Sequence, residues 1–302
     1  MATDHPEHLP VIIDREKCDG CLACLKVCPT KAMRVRDKEA RIRAELCIYC
    51  GECIQACPRQ AVRSRGPAAQ AQTGYKIRAL LPSPVLYTQF GDRISPNDVL
   101  VALTRLGYDY VFDQAVFCEW VSLAVNEWVA GGKSPLPAIS ATCPVVVRLI
   151  RLRYRELMPH LVRVSPPREV GARYIRRLLS GKLGLAGKEI GLFHVTPCTA
   201  KGLAINAPDR TGGSSLDAAL GLDEIYGPVL RQIKQLTAED RETMLFRGGG
   251  FGIGWEMSGG ETAGLRHVEN TLSVCGLKET IEALELIEFG RLGSVQYVEC
   301  RV

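Results

Sequence analysis

The sequence predicts a small cysteine-rich domain followed by a larger α/β domain, and three observations carry that expectation. Eight of the 13 cysteines lie between Cys18 and Cys57 in two copies of one pattern. A small, polar, aperiodic stretch, Ser64-Arg65-Gly66-Pro67-Ala68-Ala69-Gln70-Ala71-Gln72, then reads as a linker. From about Tyr75 short apolar runs alternate with amphipathic stretches, the mark of α/β architecture. The expected division is residues 1–66, a linker over 67–74, and residues 75–302.

The first copy is Cys18-x2-Cys21-x2-Cys24-x3-Cys28-Pro29 and the second is Cys47-x2-Cys50-x2-Cys53-x3-Cys57-Pro58. The duplication extends outward, pairing Ile13 with Ile42, Glu16 with Glu45, Ala32 with Ala61 and Arg34 with Arg63. The pattern resembles the bacterial two-cluster ferredoxins, which implies an α+β ferredoxin-like fold and two 4Fe–4S clusters. Three thiolates two residues apart can wrap one face of a cubane, and the fourth points away to the other cluster. Cys18, Cys21, Cys24 and Cys57 would therefore hold one cluster, and Cys47, Cys50, Cys53 and Cys28 the other. A zinc site needs only two Cys-x2-Cys pairs and has no use for a third cysteine at that interval or for the Cys-Pro steps. Two close clusters conduct single electrons, so this module is expected to act as a wire.

In the remainder, Ile77 to Leu81 reads as a strand. The next helix has Ser95 as N-cap, Pro96 at its first position and Gly107 at its end. Tyr110-Val111-Phe112 is the next strand, and Val116 to Ala130 a helix stopped by Gly131-Gly132. Leu136 to Ser140 is a third strand, leading through Thr142-Cys143-Pro144 into a helix over Val145 to Leu157. The pattern restarts with a strand at Ile190 to Val195, which runs into Thr196-Pro197-Cys198-Thr199-Ala200-Lys201. Helical periodicity returns over Leu222 to Leu236 and Leu277 to Phe289, and Val295 to Glu299 is a last strand. Cys143 and Cys198 each follow the carboxyl end of a strand, the edge at which open α/β sheets bind ligands. Two thiols so delivered from different lobes could converge on one metal site. Cys118, Cys275 and Cys300 read as inert packing thiols.

Composition narrows the function classes. The chain has 302 residues, 46% of them apolar, and its mean hydropathy is near zero; it can bury a sizeable core. The net charge of +5 falls well short of a nucleic-acid binder's excess. The opening Met-Ala-Thr-Asp-His-Pro-Glu-His has no basic region followed by an apolar one, and no apolar run approaches the roughly eighteen residues of a membrane span. Thiols in such a chain are expected on metals, with the cytoplasm as location. Nine arginines between Arg148 and Arg177 (Arg148, Arg151, Arg153, Arg155, Arg163, Arg168, Arg173, Arg176 and Arg177) read first as a solvated face. The sharper option is a dock for an acidic redox partner or a downstream signalling domain.

From Tyr75 onward the chain resembles the iron-only (FeFe) hydrogenase large-subunit family. Ser140-Ala141-Thr142-Cys143-Pro144 is similar to its first cluster-binding motif, Thr196 to Lys201 to its second, and Phe251-Gly252-Ile253-Gly254-Trp255-Glu256-Met257-Ser258-Gly259-Gly260-Glu261 to its glycine-rich loop. The resemblance implies a two-lobed α/β domain with parallel sheets. It also implies that Cys143 and Cys198 bind an active-site 4Fe–4S cluster linked to a diiron centre with carbonyl and cyanide ligands (the H-cluster), with Lys201 donating to a cyanide. Three departures accompany it. Thr142 stands where active members carry a proton-donating cysteine. The stretch Val121 to Asn126 lacks their carboxylates, although Glu119 and Glu127 flank it. The sequence reaches Cys300-Arg301-Val302 where the last motif, with two further cysteine ligands, should continue. The first two departures resemble the family's sensory branch; the third predicts low activity or none.

The expected function is an iron–sulfur redox protein that senses or slowly oxidises molecular hydrogen and exchanges electrons with a ferredoxin-like partner. The alternative is an electron-transfer or docking protein that never assembles the diiron site. Kinship to the cytosolic iron–sulfur assembly relatives of hydrogenases ranks third, because a complete two-cluster module favours a redox wire.

Overall fold

A computed structural model describes residues 11–64, 73–206, 213–243, 245 and 247–302. The expected linker lies almost wholly outside the described residues.

The duplicated sequence folds as a duplicated structure. Strand β1 (Val11–Ile13) pairs antiparallel with β4 (Val62–Ser64), and β2 (Met33–Arg36) with β3 (Glu39–Ile42). The one-turn helices α1 (Ala23–Lys26) and α2 (Glu52–Gln55) follow the two cysteine loops. Repeat-related Ala32 and Ala61 are both buried, as are Ile13 and Ile42, so the matching sequence positions fill matching places in the core.

Two parallel sheets organise the rest. The first has the order β6-β5-β8-β9, built from β5 (Ile77–Pro82), β6 (Tyr110–Val111), β8 (Ile190–Val195) and β9 (Ala218–Leu220). Every residue of β8 is buried, as a central parallel strand covered on both faces requires. The second sheet has the order β10-β11-β7, from β7 (Ala138–Ile139), β10 (Thr271–Cys275) and β11 (Tyr297–Arg301), again parallel.

Local chemistry explains most helix ends. In α3 (Pro96–Thr104) the Ser95 side chain accepts from Asp98 N–H while Asp98 accepts from Ser95 N–H, a full capping box. Helix α4 (Gln114–Ala130) is capped by Asp113. Helix α5 (Pro144–Arg153) ends four residues before the expected Leu157, because the chain turns at Tyr154 into a 3-10 segment, Arg155–His160, that contains Pro159. Helix α6 (Pro167–Leu183) was not expected at all. Its arginines obscure an apolar face of Ala172, Ile175 and Leu179, although Pro167 at its start and Gly184 in the left-handed region at its end are ordinary boundary signals. The remaining helices are α7 (Thr199–Asn206), α8 (Leu222–Ile233), α9 (Ala238–Glu242), α10 (Gly250–Gly254), α11 (Gly260–Ala263) and α12 (Leu277–Glu288). No helix among the described residues is long and apolar enough to cross a membrane.

The cysteine-rich module is packed onto the second sheet's side of the molecule. Ile48 and Tyr49 share one apolar cluster with Val145, Val146 and Leu149 of α5 and with Leu203 of α7. Arg148 Nε donates to the Cys47 carbonyl at 3.0 Å, with its guanidinium 4.6 Å from the Tyr49 ring centroid. Arg153 Nη1 reaches the Pro29 carbonyl at 3.3 Å. The nine arginines accordingly form no single solvated face. Arg148 and Arg153 grip the module. Arg168 is buried, and Arg176 ties Gly187, Ile190, Ser215 and Asp217 together from inside.

Candidate metal centres

One cavity is lined by Cys18, Cys21, Cys24 and Cys57, and a second by Cys28, Cys47, Cys50 and Cys53. Each cavity thus draws three thiols from one repeat and the fourth from the other, the crossed arrangement expected from the spacing. Among the described residues no three His, Cys, Asp or Glu side chains close around a single ion; the thiols surround a space instead. Left-handed backbone at Leu22 and Gly51, at the starts of α1 and α2, turns the two loops around their cavities. Ala32 N–H lies 3.1 Å from Cys28 Sγ, the kind of amide contact that a thiolate accepts. Burial pushes the Cys50 and Cys53 thiols up to about 12, so metal loading must displace their protons.

A third cavity, about 260 Å³, opens where the carboxyl ends of both sheets' strands meet. Cys143 follows β7, Cys198 follows β8, Cys275 ends β10 and Arg301 ends β11, and all four line it with Lys201, His194, Gln114 and Arg168. Cys143 and Cys198, the two thiols expected from different lobes, both line this one cavity. Cys275 requires correction: it is an exposed thiol on this cavity, not packing. The strand-end rule that singled out Cys143 and Cys198 also covers Cys275, but β10 was not recognised as a strand. Cys118 and Cys300 are buried as expected, and burial raises Cys300 to about 12.

Lys201 Nζ is 2.8 Å from Glu256 Oε1. Burial raises the Glu256 carboxyl, but Lys201's charge and hydrogen bond, with a hydrogen bond from Ser83, outweigh it and hold the group at about 2. This ammonium is therefore already neutralised in the protein itself. Thr142 Oγ1 donates to Glu261 Oε2 at 3.2 Å, and Ser140 and Tyr297 bond the same buried carboxylate, so Thr142 is part of a fixed polar network. Glu119 likewise accepts from the amides of Gly249 and Gly252, at 2.6 and 3.3 Å, and holds the glycine-rich loop.

That loop is glycine-rich for a steric reason. A Cβ on Gly252 would lie 2.2 Å from the Ala115 carbonyl oxygen, and one on Gly248 2.5 Å from Ala115 Cβ. The loop's backbone packs directly on α4, which brings Trp255 and Glu256 to the cavity.

Three buried polar atoms of the residues lining the cavity have no hydrogen-bond partner: Gln114 Oε1, Arg168 Nε and His194 Nε2. His194 Nδ1 is 2.8 Å from the Leu81 carbonyl and must donate to it, which leaves Nε2 as an acceptor. Burial holds this imidazole down at about 3, hence neutral. Buried polar atoms are normally satisfied. Thiols beside unpaired donors and acceptors fit an iron–sulfur group that carries polar ligands.

Comparison with known proteins agrees with this chemistry. Residues 10–58 match the 4Fe-4S dicluster domain, and residues 76–297 match the iron only hydrogenase large subunit, C-terminal domain. The molecule is an iron–sulfur protein with 4Fe–4S clusters and an N-terminal 4Fe–4S domain. The chain belongs to the iron-only hydrogenase large-subunit family. Among solved structures it is similar to an FeFe-hydrogenase HydA1 variant from Chlamydomonas reinhardtii (TM-score 0.54, 14% identity, 74% of this chain and 76% of that one). It is also similar to the HydA(deltaEFG) structure (TM-score 0.53, 14% identity, 74% and 76%). At such identity these likenesses concern the fold alone. Curated relatives include the cytosolic Fe-S cluster assembly factor NAR1 homolog of Schizosaccharomyces japonicus, 30% identical over 31% of this chain and 19% of that protein. NAR1 of Chaetomium globosum is 25% identical over 56% and 27%. The chain thus spans between about a fifth and a quarter of the curated relatives it matches.

Proposed function

We propose that this protein passes electrons between an iron–sulfur site in the third cavity and a partner redox protein or signalling domain, through two 4Fe–4S clusters in residues 1–66. The observation that carries the reading is the pair of four-thiol cavities, the second of them joined through Tyr49 and Arg148 to the helix whose N-cap is Cys143. Cys18, Cys21, Cys24 and Cys57 would hold the first cluster, and Cys28, Cys47, Cys50 and Cys53 the second. Cys143 and Cys198 would hold a cluster in residues 75–302, with Cys275 as a third thiol at hand. A diiron group there would supply reactivity toward molecular hydrogen, the ligand to be sensed or slowly oxidised. Arg168 would donate to its polar ligands, and Lys201 would act mainly through Glu256. A cytoplasmic, anaerobic setting suits such sites.

The protein, purified anaerobically, is incubated with a synthetic diiron cofactor and maturation factors and examined by infrared spectroscopy. Sharp carbonyl and cyanide bands, lost in Cys143→Ser and Cys198→Ser while eight irons remain elsewhere, are expected. Their absence in the unmutated protein would remove the hydrogen-reactive part. A second reading, iron–sulfur cluster assembly, is favoured by the assembly factors among the curated relatives and by the exposed Cys275 thiol beside the cavity. Transfer of a labelled 4Fe–4S cluster from this protein to an apoprotein would decide for it.

A further inference from the structure

A cavity of about 940 Å³, adjoining the third one at Pro166 and Arg168, lies where Tyr49 of the cysteine-rich module meets α5, α6 and α7. Five arginines line it, Arg148, Arg151, Arg163, Arg168 and Arg173, against a single acid, Glu169. That acid is already engaged: it accepts from the Ser214 hydroxyl at 2.7 Å and from Ser215 N–H at 2.8 Å. Its approach to Arg168 Nε is a loose 3.7 Å. Among the described residues, Arg148, Arg151, Arg163 and Arg173 enter no ion pair. One lining residue also keeps a buried donor without a partner, the Tyr49 hydroxyl, and Arg168, whose Nε is likewise unpartnered, stands on the wall shared with the third cavity.

A cavity that concentrates cations and leaves a buried donor unused is complementary to an anion rich in acceptor oxygens. Guanidinium groups pair with phosphate in two-pronged fashion. The volume suits a small molecule, and Val147, Met158, Leu161 and Leu203 supply an apolar wall for its uncharged part. We propose that this cavity binds a phosphate-bearing small molecule of nucleotide size, and that the second cluster senses its occupancy. The second half rests on the function proposed above. The link is Arg148, which lines the cavity, donates to the Cys47 carbonyl at 3.0 Å and stacks on Tyr49. Cys47 and Tyr49 both line the second four-thiol cavity. An anion drawn to Arg148 offsets its charge and so disfavours the reduced cluster.

The cluster-loaded full chain is titrated calorimetrically with ATP, with pyrophosphate and with sulfate at matched ionic strength. One-site binding of ATP or pyrophosphate at least tenfold tighter than sulfate is expected, weakened tenfold or more in Arg163→Gln/Arg173→Gln. Both arginines are exposed, and circular dichroism confirms that the variant is folded. ATP binding without pyrophosphate binding would assign the apolar wall to a base. No saturable heat, sulfate binding as tight as ATP, or equal affinity in the double variant would overturn the site. A redox titration followed by electron paramagnetic resonance should show the second cluster's potential fall on adding the ligand. Binding with an unmoved potential would overturn the coupling. A chain lacking eight irons would fail the proposed function instead, since the heat measurement does not need them.

Discussion

Replacing Lys201 with Met tests the most consequential contact at the third cavity. The Lys201 side chain is 19% exposed and Glu256 only 4%, with 2.8 Å between Nζ and Oε1. Glu256 sits at about 2 against an ordinary 4.5, a difference equivalent to about 3 kcal/mol. Because the folded-state value is depressed, this stabilisation is fully present above pH 4.5 and is lost as the pH falls from there toward 2. Lys201→Met leaves a buried carboxylate with hydrogen bonds from Ser83 and Gln114 but without its ion-pair partner. Breaking a buried pair from one side costs roughly 3–5 kcal/mol, so a loss near about 3 kcal/mol at neutral pH is expected in urea unfolding. Adding Glu256→Gln removes the stranded charge and should restore most of that loss, giving a coupling energy of about 2 kcal/mol in the double-mutant cycle. A Lys201→Met protein within about 0.5 kcal/mol of the unmutated one, with no rescue by Glu256→Gln, would refute the pairing. Lys201 would then be free to serve a bound ligand directly.

Three further outcomes are expected. Cys57→Ser should cost the first cluster and Cys28→Ser the second, each lowering the iron assay by about four and leaving the other cluster's resonance; reversed identities would disprove the crossed pairing. Gly252→Ala should destabilise by about 2 kcal/mol or more, because its Cβ would meet the Ala115 carbonyl oxygen at 2.2 Å; an unchanged urea midpoint would mean that α4 and the loop separate easily. Arg148→Ala removes a hydrogen bond and a cation–π contact, together about 2–4 kcal/mol. It should speed limited proteolysis between the cysteine-rich module and α5, and an unchanged digestion rate would argue that Ile48 and Tyr49 hold the module alone.

Much of this molecule is legible in one dimension because its chemistry is periodic. The doubled cysteine pattern carries its own geometry: ligands two residues apart share a cavity, and the Cys-Pro cysteine reaches the other one. The strand Ile190–Val195 and the cap at Ser95 follow from local signals that tertiary structure has no reason to override. Hydropathy hid α6, because one helix face carries the arginines while the other packs as core. The assembly-factor relatives answer to the third reading of the sequence, which stood behind the others because a complete two-cluster module reads first as a redox wire.

Partnership is what only the tertiary structure decided. Arg148 looks like surface charge until the Cys47 carbonyl and Tyr49 ring lie beneath it. Lys201 looks like a free donor until Glu256, 55 residues onward, is found 2.8 Å away. Cys275 looks inert until β10 pairs with β11 and delivers it to the cavity edge. A sequence determined by itself which residues could hold iron, because ligand type and short-range spacing are local properties. Which charges neutralise one another depends on distances of a few ångströms between remote segments, and those exist only once the two sheets have set their strand ends face to face.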